Sequence, residues 1–335
     1  MMKFGVLQFF SWPDRRVPLP TVYERALQRI DIMDRSGYDA VWITEHHFND
    51  YSVCPSIPVM GAFAAARTRR LHIATGVTLA AFYHPLRLAE EVALLDILSG
   101  GRVYWGAGRG FDPFEFKTFG MTADESYPRF REAVEIVMSA WRSRRVTYHG
   151  RYFSFENVEV LPKPLQQPHP PMWVAAYSPT AVEWAAERGY SIMLDPHSPV
   201  PAIKEKMETW RKLLASHGHN VAGRVIPTVR LVAIAQSDSK AAEVAREGAK
   251  WILQSYVNPS GDRGDSEVMV QRYVDSMVIH GTAERVADKV AQLHDEIGLN
   301  YMITAPLSHE TFLSFTEQVV PKLASDEPRI GPIAG

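Results

Sequence analysis

A single cysteine, Cys54, is all the thiol chemistry in this 335-residue chain. One thiol cannot build an internal disulfide framework, and it excludes any multi-cysteine zinc or iron–sulfur site. Excess charge is missing too: 36 basic residues nearly cancel 38 acidic ones, leaving a net charge of −2. That balance argues against a polyanion-binding protein, so no nucleic-acid partner is expected. No apolar run approaches the ~18 residues needed to span a bilayer, and no membrane association is expected. The opening MMKFGVLQFF carries one lysine and runs into a strand-like segment, which does not read as a secretory leader. A cytoplasmic location is the expectation that follows.

What is present is an ordinary globular composition, 46% apolar and 22% charged, in a chain long enough to bury a large core without staples. Short runs rich in apolar, β-branched or aromatic residues recur along it. They predict strands at Lys3–Phe9, Ala40–Ile43, Leu71–Val77, Arg102–Ala107, Met172–Ala176, Tyr190–Leu194, Val225–Ala235 and Leu299–Thr304. Amphipathic stretches separate them. Thr21–Arg35 carries Val22, Ala26, Leu27, Ile30 and Met33 on one stripe, and His84–Leu98 carries Leu88, Val92, Leu95 and Ile97 opposite Arg87, Glu90 and Glu91. Further helices are predicted at Pro179–Arg188, Val200–His217, Lys240–Ser255, Ala283–Glu296 and Glu310–Leu323. Gly37, Gly100, Gly189, Gly218 and Gly298 follow helical stretches, where a left-handed C-terminal cap is needed.

Eight strands alternating with helices predict an α/β fold, a (β/α)₈ TIM barrel in one domain over residues 1–335; a doubly wound open sheet is the rival. Two insertions interrupt the alternation. Val146–Phe155, centred on His149-Gly150, predicts a small hairpin before the fifth strand, and 258–265 (NPSGDRGD) has a mobile-loop composition.

Chemistry in a barrel sits where strands end. The second strand ends Thr44-Glu45-His46-His47-Phe48, so a general base, a metal ligand or a hydrogen-bond donor is within reach, as is a pair of ordinary loop histidines. Alternation sends His46 and His47 in different directions. Adjacent histidines are poor joint ligands and no other histidines have ligand spacing, so no metal is expected. The fourth strand ends Gly106-Ala107-Gly108-Arg109-Gly110: either a phosphate-gripping arginine in a close-approach turn, or a tight glycine turn with a solvent-facing arginine. After the fifth, Ser178 fits an N-cap and Pro179 the first helical turn, a geometry that suits simple capping or a phosphate.

Taken in order, MKFGVLQFF, GYDAVWITEHHF, TGVTLAAFYHPLRLAEEVALLDILSGGRVYWGAGRG, SPTAVEWAAERG and VIHGTAERVADKV resemble the bacterial luciferase-like flavin monooxygenase family, the luciferase α subunit most of all. The resemblance covers nearly the whole chain. It implies a barrel that binds reduced flavin mononucleotide (FMN), delivered by a separate flavin reductase, and oxygenates a small aldehyde, ketone or similar molecule with O₂ through a flavin hydroperoxide. It assigns the catalytic role to His46 and the flavin phosphate to Arg109, Ser178 and the backbone at Ala181. It places a non-proline cis peptide at Gly76-Val77 behind the flavin ring, and Ala176 and Tyr177 beside the ribityl chain. A homodimer is implied as well. A deazaflavin-dependent hydride-transfer enzyme on the same barrel and a non-catalytic flavin-binding subunit stay open.

Three positions depart from the family. Gly108 stands where the luciferase α subunit has a reactive cysteine, Tyr127 stands where many relatives carry a second phosphate arginine, and the segment around 258–265 is shorter than luciferase's mobile loop. Luminescence is therefore not expected. Phe9, Phe10, Trp12, Trp105, Phe111, Phe114 and Phe116 are the aromatics expected to line a dry cavity or pack the core.

Overall fold

Runs of apolar residues without polar alternation favour strands covered on both faces, and parallel strands are the form that takes. The computed structural model describes residues 2–257 and 267–324, so the segment 258–265 lies outside the described residues. The chain forms two compact units, each described in turn.

The first unit comprises Met1–Gln8, Ile32–Val41 and Val174–Pro328. Thr228–Ile234, buried at every residue, lies between Val278–Gly281 and Tyr301–Pro306, and Lys3–Gln8 pairs with the far side of Tyr301–Pro306. All of these pairings are parallel. The cover is amphipathic: Ala283–Ile297 buries Val286, Ala287, Val290, Leu293 and Ile297, the stripe of a 3.6-residue period. Thr282 caps its start by accepting the Arg285 N–H, and Gly298 ends it at φ 67°. Tyr38, Trp210, Tyr301, Phe312 and Phe315 fill the core.

The second unit comprises Phe9–Asp31 and Trp42–Trp173 among the described residues. Its parallel pairing joins His72–Thr75 to Val103–Gly108, whose later residues also pair with Thr78–Leu79. Helices Ile57–Arg67, Pro85–Ser99 and Ala123–Arg142 cover it. Buried Arg102 ties the C-terminal ends of the first two helices together. Its guanidinium donates to the carbonyls of Ala65 (2.9 Å) and Ser99 (2.7 Å), left over at those helix ends, and to that of Leu71 (2.7 Å) just before His72–Thr75. Val146–His149 and Ser154–Val158 pair antiparallel.

Several elements escaped the sequence pattern. Helix Ala123–Arg142 contains Pro128, which reads as a breaker, yet it is secured by a full capping box between Thr122 and Glu125. Helix Ile57–Arg67 is almost uniformly apolar and shows no stripe. Val278–Gly281 contains only four residues, too short for a period, and is fixed by pairing with Leu231–Ile234. The five glycines expected as caps all have positive φ, from 67° to 86°.

Candidate active site

The strand Ala40–Ile43 delivers the segment Thr44–Ser52, which folds back on itself. The hydroxyls of Thr44 and Ser52 share a hydrogen bond of 3.0 Å, Ser52 Oγ accepts the Phe10 N–H at 3.2 Å, and the His46 N–H donates to the Cys54 carbonyl at 3.2 Å. Phe48 takes a left-handed φ of 61° at the turn. These bonds hold three buried groups side by side: Glu45, His46 and Tyr51 are 1%, 8% and 5% exposed.

His46 and His47 diverge. The His47 Nε2–H donates to Glu45 Oε1 at 3.1 Å, while Glu45 Oε2 accepts the Leu79 N–H at 3.2 Å. His46 Nε2 hydrogen-bonds the Tyr51 hydroxyl, and its Nδ1 lies 3.5 Å from Glu115 Oε1. The ring is sandwiched by aromatics, with Phe9 parallel at 6.4 Å and Phe111 edge-on at 6.2 Å. Glu115 is fully buried on the short helix Pro113–Thr118, which Asp112 caps by accepting the Phe114 N–H at 2.8 Å. Its Oε1 also accepts the His47 N–H at 2.8 Å, and its Oε2 has no hydrogen-bond partner among the described residues. Tyr51, His46 and Glu115 thus form a line of proton-carrying groups in a dry setting, able to pass a proton along or hold one in place.

Burial acts on two neighbours. The Cys54 thiol is pushed up to about 12, first by desolvation and further by the charge of Glu45, against a hydrogen bond to the Ser56 carbonyl, so it stays protonated. Desolvation and then Glu45 raise the Tyr83 phenol. Sequence reasoning named His46 but missed Tyr51 and Glu115. For Glu115 the signal was a lone carboxylate between Phe114 and Phe116, on a face that buries one side only.

His46 faces a cavity of about 430 Å³ that is also lined by Trp12, Arg15, Tyr23, Phe48 and Asp50. Of the seven aromatics expected to line a dry cavity or pack the core, Trp12 lines this one. Phe10, Trp105 and Phe116 are core residues, and Phe111 and Phe114 are exposed.

Beyond His46, the glycine turn presents Arg109. Gly110 has φ 83°, and a Cβ there would come within 3.3 Å of the Phe116 ring, so the turn needs glycine twice over. Arg109 is exposed; its Nη1 donates to Ser126 Oγ at 2.7 Å, and it has no carboxylate partner among the described residues. Tyr127 is occupied by Arg131, whose guanidinium lies 4.4 Å from its ring centre. Arg129 lies over Phe153 at 5.2 Å. The Gly76–Val77 peptide is cis, the geometry the resemblance implied there, and the Gly76 N–H donates to the Ile43 carbonyl at 2.8 Å.

In the unit containing Val174–Pro328, Ala176 is buried with its N–H on the Met193 carbonyl at 3.1 Å. Tyr177 is 66% exposed under the Lys206 ammonium, 4.7 Å from the ring centre. Ser178 caps helix Pro179–Glu187 by accepting the Ala181 N–H at 3.3 Å, and its hydroxyl also meets that of Thr180 at 3.0 Å. Among the described residues no three His, Cys, Asp or Glu side chains are grouped to hold a metal ion, and no helix is long and apolar enough to cross a membrane.

A sequence profile of the luciferase-like monooxygenases matches residues 2–300. The oxygenase component of a flavin-dependent trigonelline monooxygenase from Acinetobacter baylyi is 34% identical over 52% of this chain, a stretch that spans 49% of that relative's length. Among solved structures, the monooxygenase RslO1 from Streptomyces bottropensis superposes with a TM-score of 0.82 at 30% identity, covering 96% of this chain and 99% of the other. The oxygenating constituent of 3,6-diketocamphane monooxygenase from Pseudomonas putida, solved with FMN, superposes at 0.79 with 19% identity over 96% and 99% of the two chains, a likeness of fold.

Proposed function

The chain belongs to the luciferase-like monooxygenase family, and from that premise we propose that it is the oxygenase component of a two-component system. In this reading reduced FMN and O₂ serve to oxygenate a small organic substrate, an aldehyde, ketone or similar molecule, on a (β/α)₈ barrel with a hairpin before its fifth strand. The observation that carries the reading is His46, hydrogen-bonded to Tyr51 and backed by buried Glu115 on the wall of a 430 Å³ cavity.

The fit to a flavin phosphate rests on Arg109. It is an exposed guanidinium with no carboxylate partner among the described residues, in a glycine turn that lets a ligand approach the backbone. Ser178 and the Ala181 N–H are proposed as phosphate contacts from the resemblance, as are Gly76, Val77, Ala176 and Tyr177 for the rest of the cofactor. Reduced FMN, when bound, supplies the electrons with which O₂ is activated. This chain's own residues do the rest. His46 Nε2 exchanges a proton with the reacting oxygen or with Tyr51, Glu115 stands beside Nδ1 on the opposite edge of the ring, and the surrounding aromatics keep water from the exchange.

No nucleotide-binding motif for a nicotinamide is present, and the matched Acinetobacter protein is itself an oxygenase component, so a separate flavin reductase is the proposed partner. Exposed Val59 and Phe63 on one helix, with Leu94 and Leu98 on the helix packed against it, support a homodimer. A cytoplasmic location completes the proposal. The test is rapid mixing of the protein, loaded anaerobically with reduced FMN, against oxygenated buffer. Oxidised flavin should appear more slowly than in free solution, and an added substrate should hasten it. Reoxidation at the free-solution rate with no substrate effect overturns the reading and makes deazaflavin binding the next measurement.

A further inference from the structure

The cavity beside His46 carries a second feature that the oxygenase chemistry leaves unused. Its wall includes Trp12, with the Arg15 guanidinium 5.5 Å from the ring centre. That arrangement is imposed by the fold. Asp14 and Arg15 both take left-handed φ, 50° and 53°, which side-chain-bearing residues adopt rarely, and the turn is closed by the Arg15 N–H on the Trp12 carbonyl at 3.1 Å. The indole is itself fixed, its Nε1–H donating to the Val17 carbonyl at 2.7 Å.

Most polar groups of the wall are already spent on the protein. The Tyr23 hydroxyl donates to the Val53 carbonyl at 2.7 Å, the Asn49 amide donates to the His47 carbonyl at 2.9 Å, and Ser52 is held by Thr44 and Phe10. Arg15 and Asp50 remain, and neither stands in an ion pair among the described residues. A guanidinium stacked on an indole is weakly hydrated and keeps its fork of donors, which matches a carboxylate in two places at once. The carboxylate of Asp50 has no such platform. Trp12, Tyr23 and Phe48 place aromatic rings on the wall, suited to a planar body, and a volume of about 430 Å³ sits within the usual ~300–1,000 Å³ of small-molecule pockets.

We propose that this cavity binds an aromatic or heteroaromatic carboxylate, the acid group on Arg15 and the ring between Trp12 and Phe48, with the carbon to be oxygenated directed at His46. The proposal deepens the monooxygenase reading and rests on it for the reaction, while the binding itself needs no flavin.

Isothermal titration of the flavin-free full chain tests it with benzoate, benzyl alcohol, benzylamine and acetate as probes. Benzoate should bind at least about tenfold more tightly than the other three, since both the ring and a charge-assisted pair are required. Arg15→Gln should erase that advantage and leave benzyl alcohol unchanged, Arg15→Lys should restore part of it, and Asp50→Asn should tighten benzoate. Circular dichroism on each variant confirms folding; Arg15 is exposed and Asp50 half-buried, and neither belongs to the core. Benzyl alcohol or benzylamine binding as well as benzoate, or an Arg15→Gln variant that still prefers benzoate, overturns the assignment. Because these titrations omit flavin, they can fail while slowed flavin reoxidation stands, and the reverse also holds.

Discussion

The Tyr51 hydroxyl meets Nε2 of His46, five residues earlier in the chain, inside an aromatic pocket from which both side chains are almost closed to solvent. The contact underlies the proposed role of His46 as a proton carrier. His46→Ala should lower turnover of any aldehyde or ketone the protein oxygenates by about 10²- to 10⁴-fold, the usual worth of a positioned acid or base. Tyr51→Phe should cost far less and reshape the pH profile of turnover. FMN affinity should hold in both variants, which flavin fluorescence titration reports; a loss of affinity would move His46 from chemistry to cofactor binding.

Glu115 supports two groups with one oxygen, and its substitutions separate the two jobs. Glu115→Gln keeps an acceptor for the His47 N–H and removes the charge beside His46 Nδ1, so activity should fall while the melting temperature stays close to wild type. Glu115→Leu leaves the His47 N–H unpaired in a half-buried place, which costs about 1 kcal/mol or more. Thermal unfolding of the two variants side by side checks this; equal stability would mean that the carboxylate carries no structural load.

Arg109 and Ser178 should differ in what their loss costs. With Arg109→Ala, FMN should bind about 10- to 100-fold more weakly, whereas riboflavin, which lacks the phosphate, should bind as before. Ser178→Ala removes the N-cap of Pro179–Glu187, which should cost about 1 kcal/mol of stability in the flavin-free protein, and it should also weaken FMN relative to riboflavin. Competition titrations with FMN and riboflavin, run beside denaturant melts, tell a phosphate ligand from a cap.

Much of this was written in short-range pattern. Helix C-caps were legible because glycine alone tolerates the left-handed cap, and Ser178 was legible as an N-cap because a side-chain oxygen three residues before a free N–H has one obvious use. His46 stood out by sitting at a strand end. Tyr51 and Glu115 were not legible, because their roles depend on which way a loop folds and on a partner 69 residues away in the case of His46 and Glu115 (positions 46 and 115). Which aromatics line the cavity was open for the same reason: Phe10 and Trp105 fitted either a cavity wall or the core, and long-range packing makes them core.

The apolar surface of two neighbouring helices makes a prediction about assembly. Gly61 lets the helices approach closely, since a Cβ there would meet Leu95 at 3.0 Å, and their outer faces leave Val59, Phe63, Leu94 and Leu98 exposed. Phe63→Glu or Leu98→Glu should shift the protein from dimer to monomer in light scattering without lowering its helix content. A wild-type monomer at micromolar concentration removes the premise.

Acid stability should depend on a different group, His197, in the unit containing Val174–Pro328. Desolvation pushes it down to about 4, with Arg230 pressing the same way and Asp195 opposing, while its Nδ1 hydrogen-bonds the Tyr273 hydroxyl at 2.5 Å. The folded protein therefore keeps this imidazole neutral where the unfolded chain, titrating near 6.5, already takes up a proton. Between pH 6.5 and 4 the unfolded state binds more protons, so stability falls as pH falls; the loss from this group levels off once the folded state protonates as well. A shift of this size corresponds to roughly 3 kcal/mol across that window. His197→Gln keeps a polar group opposite Tyr273 and cannot titrate, so its unfolding free energy should change less with pH over the same interval. Urea melts at pH 7 and pH 4.5 for both proteins measure the difference, and parallel losses in the two would assign the acid sensitivity to other groups.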